Sequence, residues 1–324
     1  MRTRVPAAVD ARARTVYPPS VSMKIVLAGG SGFIGGAVID ALAARGDEVA
    51  LLTRDASAAR SRWGGKVSPL AWDGKTAGDW AKALNGAGAA INLSGESIAA
   101  GRWTPARKLA LIKSRIDSTR ALVAAIKSAA ERPKVLVNAS AVGYYGVEPP
   151  GDAAEDAPQG RDFLAALCGQ WEREAQAAEA LGVRVALPRF GVVLEKGGGA
   201  LAKMALPFKL FAGGPLGSGR QPFPWIHRDD VVGGILFLLD HPLSGPVNFA
   251  APDQKTNAEF SAALGRALRR PSWAPAPAFA LKLALGEMSS MLLGGQRAVP
   301  KKLTEAGYSF KYPKVDAALS AIFG

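Results

Sequence analysis

The chain has 324 residues, of which 48% are hydrophobic and 21% charged, with a formal net charge of +13. That balance excludes a disordered polymer, and the length suits one large α/β domain with an appended lobe, or two modest domains. The single cysteine, Cys168, excludes an intrachain disulfide, the two histidines, His227 and His241, supply no metal-ligand cluster, and no apolar run approaches the roughly 18 residues of a membrane span.

Residues 1–22 stand apart, with Arg2, Arg4, Arg12 and Arg14 against one acid, Asp10, and with the breakers Pro6, Pro18 and Pro19. They read as a disordered extension ahead of Met23 rather than a secretory signal, since they lack an apolar core. From there, apolar and β-branched runs at 24–28, 48–53, 67–71, 89–93, 134–139 and 183–188 alternate with helical segments. The alternation predicts a Rossmann-type α/β fold, a doubly wound parallel sheet with ligand loops at the carboxyl ends of its strands.

The first strand runs into Gly29-Gly30-Ser31-Gly32-Phe33-Ile34-Gly35, and residues 34–44 then read as a helix. Glycines there permit a tight turn and close approach of a pyrophosphate, whose charge the helix N-terminus favours. The spacing reads as G-x-G-x-x-G from Gly30 or as G-x-x-G-x-x-G from Gly29. The second strand ends in Thr53-Arg54, where an NAD site would place an acid for the ribose 2′-hydroxyl. A guanidinium there suits a 2′-phosphate, with Thr53 as an added donor, so NADP is the expected cofactor. The alternative for Arg54 is an exposed residue before a helix capped by Asp55.

Further along, Thr104 reads as the N-cap of a helix over 105–127 with Pro105 at its first position. Leu109, Ile112, Ile116, Leu122, Val123 and Ile126 are its expected core face. After Pro188 the glycine-rich stretches at 197–199, 213–215 and 217–219 break the chain into loops and short elements, followed by an apolar helix over 229–239. The expected division is a dinucleotide domain over 23–190 and a smaller C-terminal substrate lobe over 191–324, with 228–250 returning to the first domain. The basic charge suits a nucleic acid, an anionic membrane or a phosphorylated ligand; no basic stripe with interleaved aromatics is present. The expected partner is therefore a small-molecule substrate, with a homodimer as an option and neither nucleic acid nor stable membrane association expected. The cysteine usage fits a cytoplasmic protein.

Several segments carry a resemblance: Ile91-Asn92-Leu93-Ser94-Gly95-Glu96, Arg102-Trp103-Thr104, Ser114-Arg115-Ile116, Ser140 through Gly146, Phe163-Leu164 through Trp171-Glu172, Gly191 through Leu194, Trp225 through Asp230, and Gly286-Glu287-Met288 through Arg297. In these the chain resembles the extended and atypical short-chain dehydrogenase/reductases, in the epimerase subgroup with an extra C-terminal domain. The resemblance implies that Leu93, Ser94 and Gly95 lie beside the cofactor, that Asp73 approaches the adenine, and that Pro188 and Phe190 follow the sixth strand at the nicotinamide end. It also implies an NADP-dependent oxidoreductase or epimerase, or a relative that binds NADP without turnover.

Such enzymes use a Ser or Thr, a Tyr, and a Lys four residues after the Tyr. Registering Trp171-Glu172 places Leu164 and Cys168 at the last two, so the usual pair is absent. Ser140 is the candidate serine, although a shifted register puts Ala141 there. Tyr144 or Tyr145 is either a proton donor or a packing pair. Arg115, with Glu96 and Arg102, either binds an acidic substrate, replaces a proton relay or forms surface pairs, and Trp225 and His227 are candidate substrate-binding residues in a segment that in extended relatives faces the substrate lobe. His227 has a second reading, a local hydrogen bond to Asp229 or Asp230. Cys168 lacks a partner base and reads as a small buried residue.

Overall fold

The computed structural model of the chain describes residues 22–148 and 151–324; all of the N-terminal extension except Ser22 lies outside the described residues. The Rossmann half contains β1 (Lys24–Ala28), α1 (Gly35–Arg45), β2 (Glu48–Thr53), α2 (Ala56–Trp63), β3 (Ser68–Ala71), β4 (Ala89–Asn92), α3 (Pro105–Ser128), β5 (Val135–Asn138), β6 (Ser140–Ala141), β7 (Asp152–Ala153), α4 (Phe163–Gln176) and β8 (Arg184–Phe190). There follow β9 (Val192–Leu194), α5 (Gly199–Lys209), β10 (Trp225–His227), α6 (Arg228–Asp240), β11 (Gly245–Phe249), α7 (Asn257–Leu268), α8 (Ala278–Leu285), α9 (Ser290–Leu293), β12 (Arg297–Ala298), α10 (Lys301–Glu305) and α11 (Val315–Phe323).

The main sheet is eight-stranded, in the order β11-β8-β5-β4-β1-β2-β3, with β6 beside β8. Each of its pairings is parallel. The order reverses between β1 and β4, and a crevice for ligands opens at such a switch point. Both faces are covered, which explains the continuously apolar strands. Ile25 and Leu27 point to one layer with Val38, Ile39 and Leu42 of α1 and Ile235 and Leu238 of α6. Val26 and Ala28 point to the other, with Leu122 and Ile126 of α3 and Trp72 and Trp80.

Helix α3 begins at the expected cap, where the Thr104 side chain accepts the Arg107 N–H. Its buried face runs through Leu111, Arg115, Ile116, Thr119, Leu122 and Ile126. Leu109 is 50% exposed, which corrects its assignment to the core: two residues before Leu111, it sits about 200° around the helix. Strand β8 continues through Pro188 to Phe190, so Pro188 lies inside the strand, opposite Val247 of β11, rather than after it. Proline is tolerated there because its missing N–H is confined to one position of a ladder close to the sheet edge.

A second core, containing Leu201, Phe208, Trp225, Phe260, Leu264, Val315 and Leu319, joins α5, β10, α7 and α11. Helix α7 starts on a full capping box between Thr256 and Glu259. Among the described residues, no helix is long and apolar enough to cross a membrane.

Candidate functional site

At the switch point the glycine loop passes directly over the end of β4. Gly29 has φ +78°, and a Cβ there would lie 2.4 Å from the Leu93 carbonyl carbon and 2.7 Å from the Ser94 nitrogen. Only a glycine allows both the left-handed backbone and the contact. Helix α1 follows with no side-chain cap and no acid in its first turn, so its positive end is left for an anionic ligand. Phe33 packs against Gly198 and Gly199 at the start of α5, so the second lobe closes over the loop.

The end of β4 is set by a buried amide network. Asn92 and Asn138 are paired in register on β4 and β5, and Asn92 Nδ2 donates to Asn138 Oδ1 at 2.7 Å and to Thr119 Oγ1 at 3.0 Å. Asn92 Oδ1 accepts the Ser94 N–H, and the Trp171 indole donates to Thr119. This holds Leu93, Ser94 and Gly95 in one conformation. The signal for it was an asparagine closing each of two apolar strands; each amide buried there needs partners.

On the other side of the loop, Arg54 and Asp73 line a depression that follows β2 and β3, together with Trp72 and Trp80. Arg54 is exposed, while Thr53 Oγ1 accepts the Asp55 N–H. The Asp73 carboxylate accepts the N–H groups of Lys75 and Thr76, which hold its pKa below the usual range, so it organises its own turn. A second guanidinium, Arg62 of α2, reaches the Ser31 carbonyl at 3.4 Å. Sequence reasoning missed Arg62, because only the packing of α2 beside the loop places it there.

Behind the loop after β5 lies a buried ionic cluster. Arg189 of β8 is 1% exposed and makes a two-point contact with Glu172 of α4, both bonds at 2.8 Å. Burial alone would lower the Arg189 pKa, but the hydrogen bonds and charge of Glu172 outweigh it and raise it. Ser140 Oγ donates to Glu172 Oε1 at 2.6 Å, so its proton is directed into the cluster. Tyr145 Oη donates to Asn248 and accepts from Arg189, and burial pushes its pKa up to about 12, against the smaller effect of Arg189. Tyr144 stacks under the same guanidinium, 3.5 Å from its ring centre, and packs edge-on against Tyr145. The two tyrosines thus enclose Arg189, and Tyr145 is the more deeply buried.

Leu164 and Cys168 both face Gly143, on the loop after Ser140. Leu164 joins an apolar cluster with Trp103, Phe163 and Met288. Cys168 is buried and burial pushes its thiol up to about 12. Burial therefore holds it in the unreactive thiol form. The native protein is expected to resist a thiol reagent such as DTNB for as long as it stays folded and to release one equivalent on denaturation; rapid native labelling would contradict the buried assignment.

Arg115 lies beneath Gly95, whose added Cβ would sit 3.1 Å from the guanidinium carbon. Its nitrogens donate to the carbonyls of Leu111 and Glu96, and it lies over the Trp171 ring. Burial lowers its pKa, and Cys168 is close enough to interact with it electrostatically. Glu96 instead pairs with Arg107, and Arg102 donates to the Leu283 carbonyl at 2.7 Å on α8. The three residues therefore do not converge as one cluster. Trp225 is 1% exposed in the second core, its indole donating to the Asp253 carbonyl. His227 caps α6 by accepting the Asp229 N–H at Nδ1, and burial lowers its pKa, so the neutral ring carries its proton on Nε2.

Residues 25–250 match the NAD dependent epimerase/dehydratase family, and residues 276–322 match a domain of unknown function, DUF1731. The chain is 43% identical over 303 residues to an Arabidopsis thaliana protein described as a chloroplastic homolog of epimerase family protein SDR39U1, covering 93% of this chain and 86% of that one. It is 39% identical over 303 residues to epimerase family protein YfhF of Bacillus subtilis, covering 93% and 98%. Among solved structures, human epimerase family protein SDR39U1 (isoform 2) with NADPH superposes with a TM-score of 0.83 at 36% identity, covering 93% and 99%. With an α/β Rossmann fold, a glycine loop at its switch point and these matches over most of its length, the chain belongs to the NAD dependent epimerase/dehydratase family.

Proposed function

We propose that the chain binds NADP(H) across the carboxyl ends of β1, β2 and β4 and serves hydride transfer at a hydroxyl or carbonyl carbon of a small molecule. The observation that carries this is the pair of guanidiniums flanking the glycine loop, Arg54 after β2 and Arg62 at Ser31, beside a helix N-terminus with no acid. Two cations and an open helix end suit the pyrophosphate and 2′-phosphate together. The NADPH in the 36% identical human structure supports the same choice. Bound there, the nicotinamide supplies or accepts a hydride.

The protein's own contribution is positional. Ser94 and Gly95 are fixed by Asn92 beside the cofactor, Arg115 places a buried positive charge under them, and Ser140 offers an oxygen whose proton points to Glu172. Arg115 brings that charge to the neighbourhood of Cys168, where a short-chain dehydrogenase would place its lysine. Arg54→Ala is expected to weaken NADPH by about 10- to 100-fold, the loss of a charge-assisted phosphate contact, while NADH changes little. Fluorescence titration of both cofactors checks it; equal losses for the two would remove the assignment of Arg54 to the 2′-phosphate.

A second reading rests on Leu164 and Cys168 standing where a proton-transferring Tyr and Lys would be: a protein that binds NADP(H) and signals its occupancy to a partner. Turnover of NADPH with any member of a carbonyl panel favours the first reading. Silence throughout, with partner capture that changes when NADPH is added, favours the second.

A further inference from the structure

The exposed large hydrophobic residues are not scattered. Leu206, Leu210, Phe211, Trp273, Phe279 and Leu283 are each more than half exposed, and the remaining exposed large hydrophobic residue among those described is Leu109, at 50%. The six fall in two segments, 196–228 and 260–286, that contain no Asp or Glu at all. The fold brings the segments together. The Trp273 indole donates to the Phe211 carbonyl and its backbone N–H to the Gly213 carbonyl, both at 3.0 Å, and Leu216 bridges Ala276 just before α8. On α8 none of the residues is buried, and Phe279 and Leu283, 75% and 79% exposed, are one turn apart on the same face.

Cations accompany these residues in the same two segments. Lys209, Arg269 and Lys282 are exposed and Arg270 lies 4.5 Å over the Phe211 ring, none of the four with a carboxylate partner among the described residues, while the exposed Lys203 donates to the Ala99 carbonyl. Phe211 at φ +60° and Arg269 at φ +53° close α5 and α7 as left-handed C-terminal caps, with the Ala212 N–H donating to the Pro207 carbonyl and the Arg270 N–H to the Gly265 carbonyl.

We propose that this face is a peripheral docking surface for a bilayer carrying anionic lipids, with the aromatic and aliphatic side chains in the interfacial layer and the lysines and arginines on the headgroups. Apolar protrusions carried on acid-free segments with unpaired cations match that chemistry. A second copy of the chain fits poorly, because a two-fold contact would set the unpaired cations of one face against the same cations of the other. Residues 1–21 fit poorly for the same reason, carrying four arginines and one acid.

The test is flotation of the full chain with protein-free vesicles, of phosphatidylcholine alone or with phosphatidylglycerol added, at low and high salt. Binding to the anionic vesicles about tenfold tighter than to the neutral ones, weakened by salt, is expected. F279E/L283E, and separately L206S/L210S on α5, should each lower that binding about tenfold or more with an unchanged melting temperature. Because both pairs are exposed, failure of one variant to fold leaves the other. The proposal is overturned if anionic vesicles are not bound, if both folded variants bind like the parent chain, which would assign binding to the basic N-terminal residues, or if sedimentation shows a dimer that F279E/L283E dissociates.

Discussion

Gly29→Ala is expected to weaken NADPH by about 100-fold or more, equivalent to roughly 2.7 kcal/mol or more of binding free energy. Two separate effects act at this position. The added methyl would sit 2.4 Å from the Leu93 carbonyl carbon and 2.6 Å from its oxygen, and these are backbone atoms that cannot rotate away. The φ of +78° also costs a side-chain-bearing residue about 1–2 kcal/mol in the left-handed region. The loop must therefore lift from β4, and Leu93 and Ser94 cannot follow because Asn92 is held by Asn138 and Thr119. Lifting the loop moves the N-terminus of α1 away from the phosphate position. Titration of NADPH fluorescence measures the loss, and Gly182→Ala, with a positive φ but open space around it and away from the loop, serves as the control for backbone strain alone. Equal affinity in the Gly29 variant would mean that the close approach to Leu93 does not shape the cofactor site.

Glu172→Ala is expected to destabilise the fold by about 3–5 kcal/mol, the cost of leaving a buried charge without its counter-ion. Arg189 cannot reach water at 1% exposure, and with Glu172 gone it keeps hydrogen bonds to the Tyr145 hydroxyl and the Glu155 carbonyl and its stacking on Tyr144, but no bonded carboxylate. Ser140 loses its acceptor in the same step. The double change Glu172→Leu with Arg189→Met should recover much of this stability, because an apolar pair of similar volume carries no desolvation penalty. Urea denaturation of the three proteins measures it. A Glu172→Ala loss below about 1 kcal/mol, the range of an exposed ion pair, would show that the cluster is hydrated rather than buried. NADPH affinity should change little in the double variant, since the cofactor loop rests on Asn92 and not on this pair.

The parts of the fold that were legible in the sequence rest on local rules. The strand over 24–28, the glycine loop and the helix after it follow one another within a short stretch, so a doubly wound sheet and a dinucleotide cleft could be read directly. The Thr104 cap and Pro105 behaved likewise, because helix starts depend on the few residues at the boundary. Strand ends were less legible. Pro188 reads as a stop from its chemistry, yet β8 continues through it to Phe190, and its pairing with β11 comes from a segment nearly sixty residues later. Leu109 failed for a similar reason: both faces of α3 carry apolar residues, and only the packing of the sheet decides which face is buried.

By itself, then, the sequence determined the Rossmann architecture and the glycine loop that closes its first strand, since each depends on neighbours along the chain. The tertiary structure alone decided the roles of Arg62, Arg115, Glu172 and Arg189, whose partners are contributed by other elements. It also decided that two acid-free segments more than thirty residues apart meet where Trp273 donates to the Phe211 carbonyl. The physical reason is the same in each case. A backbone turn is specified by the residues that form it, whereas the role of a charge or an exposed ring depends on what folding brings beside it.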